Sequence, residues 1–465
     1  MFNTDERYEM EIVDLSTHGE GIGKVEGLAI FVPGAIPGET VKVRIAEHKK
    51  SIARGIVEEI ITPSPYRIKP FCKYEGNCGG CGLQSIRYDG QLIIKKKWVK
   101  DRLSRIGGIE NPVVHDVIPM EDPVIYRNKA QYVVARVTGE EKKLRACTVG
   151  FHRARTHEAI DIDHCPIQTE AANRIAEVVR NYVKEFKVPV YDSKTGTGLL
   201  RHLIVKTAYG TGDVMVIFVA TARRIPGAEW LAAKISEALE DMEGYSFESM
   251  ILNVNRTKRG EIMGTECITL GGNPTIIDEM MGKQFEISAL SFYQVNPTQT
   301  EKLYQKVIEY AELKGTETVL DLYCGVGTIG LFLADKAKRV IGIESQKKAV
   351  MDANRNAVLN GCVNAEFIHG KAEEELPKLT GQGIQPDLIV LDPPRSGCDL
   401  ALLAAVAEAG PPKIIYVSCD PATLARDLKY LAAHGYEMVE AQPVDLFPHA
   451  GNIEVVALLT KSQSD

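Results

Sequence analysis

The stretch VLDLYCGVGTIGLFLA, residues 319–334, restricts the fold of this chain more than any other. An apolar run with strand character stops, three glycines follow at Gly325, Gly327 and Gly330, and an apolar helical run begins. Glycine lets a ligand approach the backbone, and the first turn of a helix offers it free N–H groups. A second strand, RVIGIE, ends about twenty residues on in Glu344, where a carboxylate can accept bonds from ribose hydroxyls. From about residue 286 the pattern alternates: TEKLYQKVIEYAEL, TVLDLYCG, RVIGIE, SQKKAVMDANRNAVLNG, PDLIVLDPP, KIIYVSC. Such alternation specifies a doubly wound parallel sheet with its ligands at the carboxyl ends of the strands. Two cofactors fit a sheet of this kind, a dinucleotide or S-adenosylmethionine.

Two features favour the methyl donor. Asp321 ends the strand before the glycines, placed to meet the cationic methionine end of the donor. LDPPRSG, residues 391–397, ends a later strand, and its prolines restrict the backbone and expose Asp392 at the carboxyl edge of the sheet. Hydride transfer has no use for that element. Cys419, in KIIYVSCDPATLARDL, ends yet another strand and should face the same crevice, where a thiolate is a nucleophile. Carbon 5 of uracil is a poor nucleophile. Thiolate attack at carbon 6 converts the ring into an enolate whose carbon 5 can take a methyl group. A base must then remove the proton from carbon 5 so that the thiol is eliminated. PHAGNIEVVALL, residues 448–459, supplies Glu454 just ahead of an apolar run. Cys324 is the competing thiol, but its place in the glycine turn suits cofactor contact.

The upstream sequence has a different character. Residues 1–63 read as short strands broken by glycine turns, which suggests a small barrel, and TPSPYRIKP (62–70) reads as a linker. Residues 64–285 form an α+β segment built on antiparallel pairs, with strands in RNKAQYVVARV (127–137), HLIVKTAYGTGDVMVIFVA (202–220) and SMILNVN (249–255) and helices near 170–186 and 229–241. The segment opens with FCKYEGNCGGCGLQ, which holds Cys72, Cys78 and Cys81; DHCPIQ adds Cys165, followed by proline as at ferredoxin ligands. Four thiolates suit zinc and an iron–sulfur cluster equally. The amino terminus has no basic region followed by an apolar stretch, and no apolar run reaches the length of a membrane span, so a cytoplasmic protein is expected. Ten cysteines in that compartment point to metal binding or catalysis rather than disulfides. The net charge of −7 argues against a nucleic-acid binder, but its distribution does not: residues 1–210 carry a balance of +5 and the remainder −12. The basic clusters KVRIAEHKKSIAR (42–54) and IKKKWVKDRLSR (94–105) are either solvated faces or phosphate contacts.

Taken in order, SFYQVNPTQTEKLY (291–304), LDLYCGVGTIGL (320–331), LDPPRSG, YVSCDPATLARDL and IEVVALL resemble the RNA uracil-5-methyltransferases. The start of the chain looks like the small, OB-like TRAM barrel found in that family. The resemblance implies an α/β multidomain chain. Residues 1–63 would be a TRAM β-barrel, and 64–285 an α+β central RNA-binding domain with an iron–sulfur site. Residues 286–465 would be a Rossmann-like methyltransferase domain with a parallel sheet. It implies that Gln294, Tyr323, Glu344 and Asp392 bind S-adenosylmethionine, that Cys419 is the nucleophile and that Glu454 is the proton acceptor. Cys72, Cys78, Cys81 and Cys165 would hold a [4Fe–4S] cluster, with zinc second, in a structural or RNA-facing role because the reaction involves no electron transfer. The implied partner is 23S ribosomal RNA, with transfer RNA as the alternative, and neither a membrane nor an obligate protein partner. One departure stands out: the family often has a histidine two residues before the glutamate, and here that position is Asn452. Arg395 stands where cytosine-5 enzymes place a cysteine and adenine-N6 enzymes an aromatic. The more remote alternative is a catalytically inactive iron–sulfur RNA-binding protein.

Overall fold

The computed structural model describes residues 4–49, 52–137, 146–258 and 260–462. Lys50 and Ser51 of the first basic cluster lie outside the described residues. Five strands, β1 (Arg7–Leu15), β2 (Glu20–Val25), β3 (Leu28–Pro33), β4 (Thr40–Lys49) and β5 (Ile52–Thr62), close into a barrel in the order β1-β2-β3-β5-β4. Alternation along β4 sends Val41, Val43 and Ile45 inward, where they meet Ile12, Ile30 and Val32.

The next segment contains α1 (Tyr88–Arg105), β6 (Lys129–Ala135), β7 (Thr148–His152), β8 (Ala159–Asp161), α2 (Glu170–Glu185), β9 (Leu200–Thr207), β10 (Asp213–Ala220), α3 (Ala228–Leu239), β11 (Ser246–Val254) and β12 (Glu266–Gly272). Its strands form one sheet in the order β12-β11-β10-β9-β6-β7-β8. The pairs are antiparallel as expected except for β10–β11, which is parallel because α3 carries the chain across the sheet between them. Ile175, Val179, Leu231 and Ile235 of α2 and α3 cover one face. The other face, with Ile204, Met215, Ile217 and Val219, packs into the same core as the last domain. Burial on both faces explains why β10 is apolar from Val214 onward rather than alternating.

A hairpin of β13 (Thr275–Met280) and β14 (Lys283–Ser288) leads to α4 (Pro297–Ala311), β15 (Thr318–Leu322), α5 (Thr328–Ala334), β16 (Arg339–Glu344), α6 (Lys347–Leu359), β17 (Ala365–His369), α7 (Ala372–Gly381), β18 (Leu388–Leu391), α8 (Leu400–Ala409), β19 (Lys413–Ser418), α9 (Pro421–Ala432), β20 (Tyr436–Val444) and β21 (Glu454–Lys461). The sheet order is β17-β16-β15-β18-β19-β21-β20. The expectation of a parallel sheet holds for the first five strands and needs correction for the rest. β21 returns from β20 through a loop rather than a helical crossover, inserts beside β19, and is antiparallel to both neighbours.

The segment after the linker does not stand apart from this domain. Helix α1 packs on α9, placing Val99 and Leu103 in the core beneath the sheet. Val114 and Ile118 run beside Ala441 and Val444 and cover the edge strand β20. The basic helix is correspondingly less free than its sequence implies. Lys95 is fully buried with its Nζ 2.6 Å from Asp445, Lys96 pairs with Asp116, and Lys97 pairs with Asp14 and Asp101. Among the described residues no helix is long and apolar enough to cross a membrane.

Candidate active site and cysteine centre

Gln294, Tyr323, Glu344, Asp392, Cys419 and Glu454 all line one cleft of about 610 Å³ at the carboxyl ends of β15, β16, β18 and β19. The glycine turn shapes one wall. Tyr323, Gly325 and Gly327 all have positive φ, 64°, 57° and 83°, and a Cβ on Gly327 would lie 2.7 Å from the Phe367 ring. Glu344 is fixed at the mouth, accepting from the Gly325 N–H at 3.2 Å and the Gln346 N–H at 2.7 Å. Gln294 is tied to the central sheet, since its carbonyl accepts from Asn128 Nδ2 at 3.0 Å. Cys324 lines the cleft within the turn, and burial pushes its thiol well up.

Asp321 is a correction. It does not line the cleft: one carboxylate oxygen, Oδ2, lies under α5 and accepts from the Gly330 N–H at 2.8 Å, and the residue is fully buried. Burial and the nearby charge of Asp392 push it up to about 8. Oδ2 supports the glycine turn from below, and the other oxygen, Oδ1, is buried with no hydrogen-bond partner among the described residues.

The antiparallel register of β19 and β21 sets Ser418 opposite Val455. The next residue outward on each chain is Cys419 on one and Glu454 on the other, so the hairpin absent from the sequence reading is what brings these two together. Asp420 explains the punctuation after the cysteine. It caps α9, accepting from the Ala422 N–H at 2.8 Å, with Pro421 in the first turn.

The cleft is acid-rich, and Glu454 on its lining is buried. Burial pushes Asp392 up to about 7. Burial and then the charge of Asp392 push Glu454 up to about 8, against the pull of Arg395. The Cys419 thiol is pushed up to about 12 by burial and next by Glu454, while Arg395 pulls it down. A cation entering the cleft would favour the charged form of all three groups.

Cys72, Cys78, Cys81 and Cys165 line a second cavity, of about 190 Å³, together with Arg127, Phe151 and Ile167. Burial first, and then the neighbouring thiols, raise Cys81 to about 12 and Cys165 to about 11. Among the described residues no group of three or more His, Cys, Asp or Glu is arranged to hold a single metal ion.

Sequence reasoning missed Arg127, which lines both cavities and whose buried Nε has no hydrogen-bond partner among the described residues. It also missed His449. Asn452 lines a neighbouring groove rather than the cleft. His449, earlier in the same loop, is buried with Nδ1 3.1 Å from Gln91 Nε2, and burial lowers it to about 4. Neither residue sits in a pattern that spacing could flag.

Residues 276–462 match the family described as tRNA (Uracil-5-)-methyltransferase, and residues 4–57 match the TRAM domain. The chain is 45% identical over 456 residues to an uncharacterized RNA methyltransferase of Caldanaerobacter subterraneus subsp. tengcongensis, covering 98% of each chain. It is 44% identical to another from Clostridium acetobutylicum, covering 98% of this chain and 97% of that one. Among solved structures it is similar to the Pyrococcus abyssi tRNA (uracil-54, C5)-methyltransferase in complex with S-adenosyl-L-homocysteine. That similarity has a TM-score of 0.74 and 29% identity, over 97% of this chain and 100% of that chain.

Proposed function

The chain belongs to the RNA (uracil-5-)-methyltransferase family, and from that premise we propose that it methylates carbon 5 of a uridine in 23S ribosomal RNA, in the cytoplasm, through a covalent intermediate on Cys419. The observation that carries this reading is the meeting of Cys419 and Glu454 at adjacent ends of β19 and β21, in one cleft with Gln294, Tyr323, Glu344 and Asp392.

S-Adenosylmethionine, held by those last four residues, supplies an electrophilic methyl group. The target base must leave its stack to reach the thiol. The Cys419 thiolate adds to carbon 6, its electron pair forming the S–C bond as the ring becomes an enolate. Carbon 5 takes the methyl group. The Glu454 carboxylate then removes the proton from carbon 5. That C–H pair restores the ring double bond as the S–C bond breaks and returns its pair to Cys419. A carboxyl raised to about 8 is a stronger base than an ordinary glutamate, which suits proton removal near neutral pH. Arg395, beside both groups, favours their ionised forms.

Cys72, Cys78, Cys81 and Cys165 would hold a [4Fe–4S] cluster; the shared cavity and all-sulfur donor set support it. It would order the chain around it, and no step of the reaction passes through it.

Transfer RNA is the alternative substrate, favoured by the similarity to the Pyrococcus enzyme. Mapping 5-methyluridine position by position in ribosomal and transfer RNA, from cells with and without the gene, separates the two. Loss at a ribosomal position is expected. Loss confined to transfer RNA would keep the chemistry and replace the substrate, and no loss anywhere would overturn the reading in favour of an inactive RNA-binding protein.

A further inference from the structure

The loop 445–453 ends at Glu454, and elements from outside the methyltransferase sheet hold it. The carbonyl of His449 accepts from two successive N–H groups, Gly82 and Leu83, each at 3.0 Å. The Phe71 ring meets the His449 ring edge-on at 4.9 Å. Phe71 immediately precedes Cys72, and Gly82 immediately follows Cys81. Both ends of the three-cysteine segment therefore rest on one residue of the loop.

Helix α1 completes the grip. Gln91 Oε1 accepts from the His449 N–H at 3.0 Å, and Lys95 Nζ donates to the Phe447 carbonyl at 2.8 Å. His449 has φ 65°, a conformation that non-glycine residues keep only when their surroundings hold it. The cysteine segment has no helix or strand of its own; its turns, a bridge of Cys78 to Arg153, the Gly79 N–H on the His152 carbonyl at 3.0 Å and whatever its thiols bind hold it in order. Cys419 lies outside this set of contacts, at the end of β19 beside the capped start of α9.

We propose that the cysteine segment is a positioning element for the proton-removal half of the reaction. When ordered, it presents Gly82 and Leu83 to His449, and His449 sets the loop that delivers Glu454. Loss of that order slows proton removal from carbon 5 and leaves thiol attack and methyl transfer largely intact. This rests on the reading of Glu454 as proton acceptor.

The experiment uses the full chain purified with its bound group, its Cys81→Ala, Gln91→Ala and Phe71→Leu variants, and Glu454→Gln as a control. Each is given S-adenosylmethionine and RNA from cells lacking the gene. Covalent protein–RNA adduct is measured on denaturing gels, and amide exchange is followed over 445–453. Cys81→Ala and Gln91→Ala should speed exchange in the loop and raise the adduct fraction several-fold. Phe71 is half exposed, so Phe71→Leu should fold and move both readouts the same way by less; it decides the matter if the other variants do not fold. Unchanged exchange, or faster exchange with no added adduct, would overturn the coupling. Absence of adduct in Glu454→Gln itself would instead overturn the role of Glu454, and exchange alone would then judge whether the segment holds the loop.

Discussion

Cys419 and Cys81 are both pushed up to about 12 by burial, yet their neighbours treat the thiol differently. Around Cys419, Arg395 pulls down while Glu454 and Asp392 push up. Around Cys81 the thiols of Cys165, Cys78 and Cys72 each raise it, and a hydrogen bond involving Gln84 opposes them. One thiol is pulled down by Arg395 and opens on a cleft of about 610 Å³; the other shares about 190 Å³ with three more thiols, and Glu75, Arg127 and Lys129 stand on the same lining. A nucleophile must ionise and be released in every turnover, so a fixed, moderate charge suits it. Ligand thiolates are formed once, by the group that binds them, and need no cation from the protein.

The sharpest way to break this contrast is to remove one thiol from each region. Cys419→Ala should lower turnover on the order of 10⁴-fold or more, because the other thiol of the cleft, Cys324, is buried within the glycine turn. RNA retained on filters should be nearly unchanged. Cys81→Ala should leave measurable turnover. Comparable losses from the two would erase the distinction. Next in size is Glu454→Gln, for which turnover should fall by roughly 10²–10⁴-fold and the covalent adduct should persist on denaturing gels. Rapid turnover without adduct would move the base elsewhere.

Arg395 sharpens the comparison further. Without its charge the Cys419 thiol and the Glu454 carboxyl both rise, so both are less ionised near neutral pH. Arg395→Met should lower the rate at neutral pH by about 10–100-fold, shift the rising limb of the pH–rate profile upward, and recover part of the loss at higher pH. Arg395→Lys should sit between the two. A profile that drops uniformly would assign Arg395 to RNA contact instead.

These residues were unequally legible. Cys419, Asp392 and Glu344 could be read from sequence because strands of a parallel sheet deliver their carboxyl ends to one edge, whatever the rest of the chain does. The identity of Glu454 was also legible, but its partnership depends on β21 being antiparallel, which strand patterns do not encode. Asp321 misled because a residue at a strand end can turn under the following helix as easily as into the crevice. Lys95 looked like one more surface cation in a basic run, and only the fold brings Asp445 to it across 350 residues of chain. Arg127 and the His449 contacts were hidden for the same reason: they join elements far apart in sequence and leave no periodicity behind.

The smallest effect concerns stability, and it separates the two regions by their carboxyl groups. Folding raises Glu454 from 4.5 to about 8. The folded state therefore prefers this group protonated. Its contribution to stability is complete below about 4.5 and is lost as pH rises through about 8. Asp392 and Asp321 act with the same sign. Glu454→Gln keeps a neutral group at every pH, so its stability relative to the parent chain should increase across that window, by about 5 kcal/mol at most, the rise from 4.5 to about 8 counted at about 1.4 kcal/mol per pH unit. Urea midpoints of both chains, measured without cofactor at about pH 5 and about pH 8.5, give the comparison directly. The cysteine cavity is lined by Glu75 but by no other carboxylate, so Cys81→Ala should not flatten the fall in stability with pH as Glu454→Gln does. If the Gln and parent chains stay parallel, Glu454 is already ionised at neutral pH in the free enzyme. Proton removal would then rest on position rather than on raised basicity.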